Sequence, residues 1–479
     1  MTASAQSLRT KRAEVEFHNF ASLGEPETAI AVYEEENGRR GAILEEQAEF
    51  IGSFTPFLEI GANAGHTSYM VCNRFDAHGF ALDISADALR HGAVLMERWG
   101  LKRAPVRLGG DAAHLPFRDA SLRLVLAYQM LSQFVGVEKV FAEVERVLAP
   151  GGVFLFAEEP LRRLLSLRLY RSPYEPQMRG WERRLFRAGL LGYLAQDVLG
   201  SRQEEIFGIE QNHGLDSRAW RRLAGRYFAE TQFLVYVPER GPGERWVKRL
   251  AWWAERRQSL WLAAELLGGS ITGTCRKAGA AGAIPFRSDR FERLLQCPDC
   301  GGELARALEG ELRCPSCSYT AAEQDGVFNL LPSKDRAELY PGDRDEIIDF
   351  SLPGHEKKLR SGWYDLNGVY GNRYRWMGEE ATAILGNQQG GPQRLRLRGY
   401  AAEASFREHA AVQVALSANG GPVGATILRA PGTFVVEADL PRAVEYLILI
   451  QVKPAIRVAN DDRPYGVNFS LIRLVAESD

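Results

Sequence analysis

The chain has 479 residues, 45% hydrophobic and 25% charged, with a formal net charge of −2. That length predicts about three domains, the composition is that of an ordinary globular protein, and the charge balance gives no global electrostatic case for nucleic acid. Met1 to Val15 is polar and lacks a signal-peptide core, and no apolar run reaches the ~18 residues of a membrane span. Six cysteines fall as two isolated ones, Cys72 and Cys275, and two close pairs, which is not a disulfide framework. These features predict a cytoplasmic protein.

Residues 1–20 are polar and weakly periodic, which predicts a frayed segment or a short helix. Ile43, Leu44, Ala48, Phe50 and Ile51 are spaced as on a helix. The apolar run Phe57, Leu58, Ile60 then enters Gly61-Ala62-Asn63-Ala64-Gly65, and helix-compatible residues Thr67 to Val71 follow. That is a buried strand feeding a tight turn into a helix, the place where an α/β sheet binds a nucleotide-like ligand. Gly61 and Gly65 let the backbone bend and approach a ligand with no Cβ in the way. A second apolar run, Gly79 to Leu82, ends in Asp83, an acid placed to accept hydrogen bonds from both hydroxyls of a ribose. Ala86 to Trp99 reads as a helix stopping at Gly100. Val106 and Leu108 mark a short strand before Asp111, and Leu122 to Tyr128 reads as a strand buried on both faces. Val137 to Leu148 is an amphipathic helix ended by Pro150-Gly151-Gly152, and Val153 to Ala157 is a fifth strand. Such alternation predicts an α/β, doubly wound parallel sheet.

Two inserts, at 160–215 and 240–268, leave the carboxyl ends of parallel strands, the ligand-binding face of such a sheet. Residues 161–190 hold Arg162, Arg163, Arg168, Arg171, Arg179, Arg183, Arg184 and Arg187 against only Glu175 and Glu182. Trp246 to Leu267 carries Trp246, Trp252, Trp253 and Trp261 beside Lys248, Arg249, Arg256 and Arg257. The two stretches read as a lid over the site, as helices lying on anionic lipid, or as an RNA surface. Thr231 to Val237 is a sixth strand, and residues 279–290 form a small-residue linker. Over 291–332, Cys297 and Cys300 are separated by thirteen residues from Cys314 and Cys317. Two tight knuckles of two thiolates each make a closed tetrahedral Zn²⁺ site with no open position for catalysis. A charged hinge (333–360) leads to alternating runs at Gln393–Arg398, Ala411–Leu416, Val423–Leu428, Thr433–Ala438, Tyr446–Val452 and Val467–Leu474. Over 361–479 these predict an all-β sandwich.

Four segments carry a resemblance. Glu59 to Gly65 resembles motif I of the class I S-adenosylmethionine (SAM) methyltransferases, and Ala81 to Ser85 resembles their ribose-binding strand end. Gly109 to Phe117 is similar to the segment whose Asp meets the adenine amino group. Arg146 to Phe154 looks like the closing helix, turn and strand. Ser270 to Lys277 resembles the family's antiparallel last strand. The resemblance covers residues 41–278, after an N-terminal extension (1–40), and implies a Rossmann-like SAM methyltransferase sheet. It makes Glu59, Gly61, Asn63, Gly65, Asp83, Ile84, Asp111, Ala112 and Tyr128 the expected SAM contacts. Asn63 departs from the family's middle glycine, and asparagine tolerates unusual backbone angles. Residues 295–331 resemble the short zinc ribbons of RNA and release-factor methyltransferase activators. The last domain is similar to β-sandwich modules of bacterial polysaccharide enzymes, on Gly362-Trp363-Tyr364, Arg373 to Gly378 and Asp462 to Val467.

Methyl transfer needs acceptor and methyl aligned at near-attack distance, and a hydroxyl acceptor also needs something to take its proton. Glu210, His213 and Tyr128 are the candidate catalytic residues, with His114, Glu158 and Glu159 on the same face. The expected function is SAM-dependent O-methylation of a glycan or lipid-linked saccharide, in the cytoplasm with peripheral contact at the inner membrane. Two other readings stay open: RNA or protein methylation with the ribbon as adaptor, and a non-catalytic SAM-fold scaffold in a cell-envelope assembly. Trp363 and Trp376 are either sugar-stacking platforms or core residues.

Overall fold

The computed structural model describes residues 11, 12, 15, 26–134, 136–161, 180, 181, 184, 217–237, 261, 263, 264, 269–307, 310–340, 342, 344–352, 354–369, 372–387, 391, 393–458 and 461–476. The expectations at Glu210, His213 and most of both inserts lie outside the described residues.

The fold is built on strands β1 (Phe57–Ile60), β2 (Gly79–Asp83), β3 (Val106–Gly109), β4 (Leu122–Tyr128) and β5 (Leu148–Pro160). These run parallel in the order β5-β4-β1-β2-β3. Two more strands, β6 (Glu230–Tyr236) and β7 (Ser270–Arg276), close one side, with β7 antiparallel to both β5 and β6. Every residue of β1, β2 and β4 is buried, as expected of parallel strands covered on both faces. Gly79 shows how tightly the centre is packed: a Cβ there would lie 2.2 Å from the Phe57 carbonyl oxygen.

The other edge is where sequence and structure part. The segment read as a separate ribbon supplies β8 (Ala305–Arg306), β9 (Glu311–Arg313), β10 (Thr320–Gln324) and β11 (Val327–Asn329). β11 pairs parallel with β3, setting Val327 opposite Arg107, Phe328 opposite Leu108 and Asn329 opposite Gly109. The result is one eleven-stranded sheet, β6-β7-β5-β4-β1-β2-β3-β11-β10-β9-β8. Leu295, Cys297, Leu304, Leu312, Cys314 and Phe328 share one apolar core with Leu82, Leu108 and Phe117. A three-residue strand such as β11 carries too little pattern to announce its partner.

Helices differ from expectation in two places. The long N-terminal helix is Pro26–Glu46, followed by Ala48–Ile51, where spacing predicted a start at Ile43. Its buried positions include Tyr33 and Arg40 beside Leu44, so the inward face is partly polar and escapes an apolar pattern. The helix predicted over Ala86–Trp99 divides into Ala86–His91 and Ala93–Arg98. Gly92 lies at the break against the glycine turn, where a Cβ would lie 2.0 Å from the Ala64 carbonyl oxygen.

The C-terminal domain has one antiparallel sheet of β13 (Trp363–Val369), β14 (Asn372–Met377), β23 (Asn468–Ala476), β16 (Gln393–Ala401) and β19 (Gly432–Leu440). β12 (Ile347–Asp349), from the stretch read as hinge, also pairs with β23. The second sheet orders β15 (Glu380–Gly386), β20 (Glu445–Lys453), β17 (Val412–Ala418) and β18 (Gly421–Leu428); β21 (Ile456–Val458) and β22 (Asp461–Tyr465) form a hairpin. Leu395, Leu397 and Ile472 of the first sheet meet Ala383, Val414 and Ile448 of the second in one core.

Inside the parallel sheet, Glu159 at the end of β5 is fully buried and ties down the chain after β4. Its carboxylate accepts from the amides of Met130 at 2.9 Å, Leu131 at 2.8 Å and Ser132 at 3.0 Å. Burial still pushes its carboxyl up to about 7. Those three bonds make it an anchor rather than a base. Glu159→Ala strands three buried amides and is expected to cost about 3 kcal/mol of stability by urea denaturation. A loss below about 1 kcal/mol would show that these amides find other partners.

Candidate functional site

The carboxyl ends of β1, β2 and β3 bring three carboxylates together. Glu59 lies on β1, fully buried, and accepts a hydrogen bond from Ser68 Oγ at 2.5 Å. Asp83, at the tip of β2, accepts from the Asn63 amide at 2.7 Å through Oδ2 and from the Ser85 amide at 2.8 Å through Oδ1. It therefore holds the glycine turn with one hydrogen bond to each oxygen. Asp111, two residues past β3, accepts from the Ala113 amide at 2.8 Å, and Ala112 beside it is buried.

Backbone angles explain the residues in the turn. Gly61 (φ +67°) and Gly65 (φ +77°) are left-handed, and a Cβ on Gly61 would lie 2.9 Å from Met130 Cβ. Asn63 also has positive φ, 51°, in the region asparagine tolerates. Ile84 packs against Leu331, Leu339 and Tyr340. The Tyr340 hydroxyl donates to the Ile84 carbonyl at 3.0 Å and accepts from the Ala86 amide at 2.8 Å.

A second group, which sequence reading missed, meets the opposite end of the turn. Tyr33, Glu36 and Arg40 share one face of the helix Pro26–Glu46, at spacings of three and four. Tyr33 stacks on His66 with ring centroids 4.2 Å apart. His66 Nε2 lies 2.8 Å from both Glu36 Oε2 and Arg40 Nη1, and burial lowers its pKa. Arg40 also donates to Thr67 Oγ1 at 2.8 Å and to Glu158 at 3.0 Å, and lies 4.7 Å from the Tyr128 ring centroid. Tyr128 is buried, burial drives its phenol pKa up, and its hydroxyl has no hydrogen-bond partner among the described residues. The polar residues recurring at spacings of three and four were the available signal, but charged residues on a helix normally mark the solvent side.

Of the other candidates, His114 is exposed and its Nε2 lies 3.0 Å from the Pro298 carbonyl oxygen, joining the Asp111 loop to the cysteine segment. Glu158 is engaged by Arg39 and Arg40.

The sulfurs of Cys297, Cys300, Cys314 and Cys317 all lie within 4.8 Å of one another. The pairs Cys297–Cys317 and Cys300–Cys314 stand at 3.6 and 3.5 Å, far beyond the ~2.05 Å of a disulfide. Tetrahedral Zn²⁺ with Zn–S of ~2.3 Å sets sulfurs ~3.8 Å apart, so this donor set fits zinc. The first knuckle is braced by Cys297 N donating to Gly302 O at 2.7 Å, the second by Cys314 N donating to Tyr319 O at 3.0 Å.

In the sandwich, Trp363 is a packing residue. It lies against Phe350 and Phe469, and its Nε1 donates to the Thr382 carbonyl at 2.8 Å. Trp376 meets Tyr465 edge-on at 5.8 Å, and Tyr465 meets Tyr364 at 5.0 Å.

Residues 58–156 match the family model described as a methyltransferase domain. Over 102 residues the chain is 33% identical to a malonyl-[acyl-carrier protein] O-methyltransferase of Geobacter sulfurreducens, a match covering 21% of this chain and 37% of that enzyme. Over 103 residues it is 30% identical to a ubiquinone/menaquinone biosynthesis C-methyltransferase of Bartonella henselae, covering 21% and 40%. The chain thus spans well under half the length of these curated relatives. Among solved structures it is similar to a putative sarcosine dimethylglycine methyltransferase from Galdieria sulphuraria, 15% identical, with a TM-score of 0.32 over 50% of this chain and 86% of that one. The matched segment contains the strands that carry Glu59 and Asp83 and the loop that carries Asp111. No helix among the described residues is long and apolar enough to cross a membrane.

Burial pushes the Glu59 carboxyl up to about 7. The folded chain then holds a proton that the unfolded chain has released, so this group's contribution to stability falls as pH rises from about 4.5 to about 7. Glu59→Gln is expected to flatten the unfolding free energy across that window in urea titrations. Parallel slopes for the two proteins would disprove the buried-proton assignment.

Proposed function

We propose that this protein is a SAM-dependent class I methyltransferase. The observation that carries the reading is the convergence of Glu59, Asp83 and Asp111 at neighbouring strand ends around a left-handed glycine turn, within the segment matched as a methyltransferase domain. Bound SAM supplies an electrophilic methyl on a sulfonium. Asp83 would accept from the ribose hydroxyls, and Asp111 from the adenine amino group. Ile84 and Ala112 would give the adenine an apolar bed, and Glu59 would face the methionine ammonium. Tyr128 has the free hydroxyl that a ligand at this end would meet.

For the acceptor we favour O-methylation of a glycan or lipid-linked saccharide at the inner membrane face. The support is the aromatic edge of Trp376, Tyr364 and Tyr465 on the sandwich. Against it stands Arg463, whose guanidinium already lies 4.7 Å from the Tyr364 ring centroid. RNA or protein methylation is the second reading, favoured by the ribbon's direct contact with the Asp111 loop. A non-catalytic scaffold is the third. Adding pure protein and labelled SAM to fractionated lysate from a strain lacking it separates them. Label in lipid-linked glycan supports the first, and label in RNA or protein overturns it. No label in any fraction leaves the scaffold.

Calorimetric titration tests the cofactor. Asp83→Ala removes charged hydrogen bonds and is expected to weaken S-adenosylhomocysteine binding by at least about ten-fold, about 1.4 kcal/mol. Equal affinities would remove Asp83 from the site. The cysteine cluster is proposed to hold structural Zn²⁺. Metal analysis should find close to one zinc per chain, lost in Cys300→Ser with a lower melting temperature. Full stability with no metal bound would refute it.

A further inference from the structure

One contact at the cofactor end is not explained by cofactor binding. Lys11 Nζ lies 2.8 Å from Asp111 Oδ2, and the same ammonium is paired with Asp335 on the helix Ser333–Leu339. Both partners of the first contact are sheltered, with side chains 21% and 8% exposed. The contact belongs to a seated segment: Arg12 pairs with Glu338 at 3.2 Å, and buried Val15 packs with Leu331 and Leu339 beside Ile84 and Tyr340. Burial alone would lower the Lys11 pKa, but Asp111 and Asp335 hold it above its ordinary value. Lys11 is therefore charged throughout the physiological range.

Asp111 thus has both oxygens engaged in the ligand-free chain, Oδ1 by the Ala113 amide and Oδ2 by Lys11. An adenine amino group is a neutral donor, and an ammonium makes the stronger charge-assisted bond to the same oxygen. We infer that Lys11 is an internal competitor for the adenine-recognition carboxylate, and that cofactor binding exchanges Lys11 off Asp111 while Asp335 keeps it. This rests on the cofactor reading of Asp111 given above. Asp335 is what makes the exchange feasible. Without it, a displaced ammonium would lie in a sheltered groove with no counter-charge. With it, the lysine moves from two carboxylates to one.

The consequence is a lowered apparent affinity, since only the fraction of chains with Lys11 off Asp111 is ready to bind. The lowering is electrostatic, so salt should relieve it in part, less than for an exposed pair. The test is calorimetric titration of the full chain with S-adenosylhomocysteine, for wild type, Lys11→Met and Lys11→Arg, at low and high sodium chloride. At low salt Lys11→Met is expected to bind about five-fold tighter than wild type, equivalent to about 1 kcal/mol. Lys11→Arg retains the charge and should match wild type. Raising salt should tighten wild type toward Lys11→Met, which itself changes little. Equal or weaker binding by Lys11→Met, or a wild-type affinity indifferent to salt, overturns the competition. Absence of binding by all three proteins would instead overturn the cofactor reading, and this inference with it.

Discussion

An open parallel sheet ends in a row of unpaired amides and carbonyls, and here that edge is β3, the strand leading to Asp111. Such an edge must be covered, charged or paired. This chain pairs it with β11 and then continues through β10, β9 and β8. Much else follows from that pairing. It brings the cysteine knuckles beside the Asp111 loop, where Pro298 meets His114 and Leu295 bridges Phe117. It delivers Leu331, Leu339 and Tyr340 to the flank of Ile84. The strand ends that carry Asp83 and Asp111 are therefore walled partly by residues more than two hundred positions later in the chain.

The other end is organised by burial of charge. Arg40 is 5% exposed and stands among Glu36, Glu158 and His66. In so sheltered a place each charge is costly unless paired, and each pair is strong because little water screens it. The cluster ties the helix Pro26–Glu46 to His66 and Thr67, directly after the glycine turn. It also leaves the Tyr128 hydroxyl without a hydrogen-bond partner among the described residues. Glu159, close by, shows the contrasting use of a buried acid: three amides consume its oxygens, and its role is to hold the loop.

Much of this was legible in the sequence. Long apolar runs such as Leu122–Tyr128 announce themselves, because a strand buried on both faces can contain little else. The glycine turn is equally legible, since Gly61 and Gly65 occupy angles that other residues resist. The paired cysteines carry their chemistry in their spacing, and the four sulfurs do converge. Six of the sandwich strands show in their alternation, whereas β13, β14 and β15 do not stand out among Gly, Arg and Asn. Trp363 could be read either as platform or core, and its neighbours Phe350 and Phe469 decide for core.

Sequence alone therefore determined the elements whose residues are constrained locally: strands by burial, turns by backbone angle, the cysteine cluster by its spacing. Only the tertiary structure decided which distant pieces meet. That β11 would join β3, that Arg40 would face inward, and that Lys11 would lie on Asp111 each depend on long-range pairing between short or polar segments. Such segments look alike in sequence whether they face solvent or one another. Their partners are chosen by the edge left unpaired and the charge left uncompensated once the core has formed.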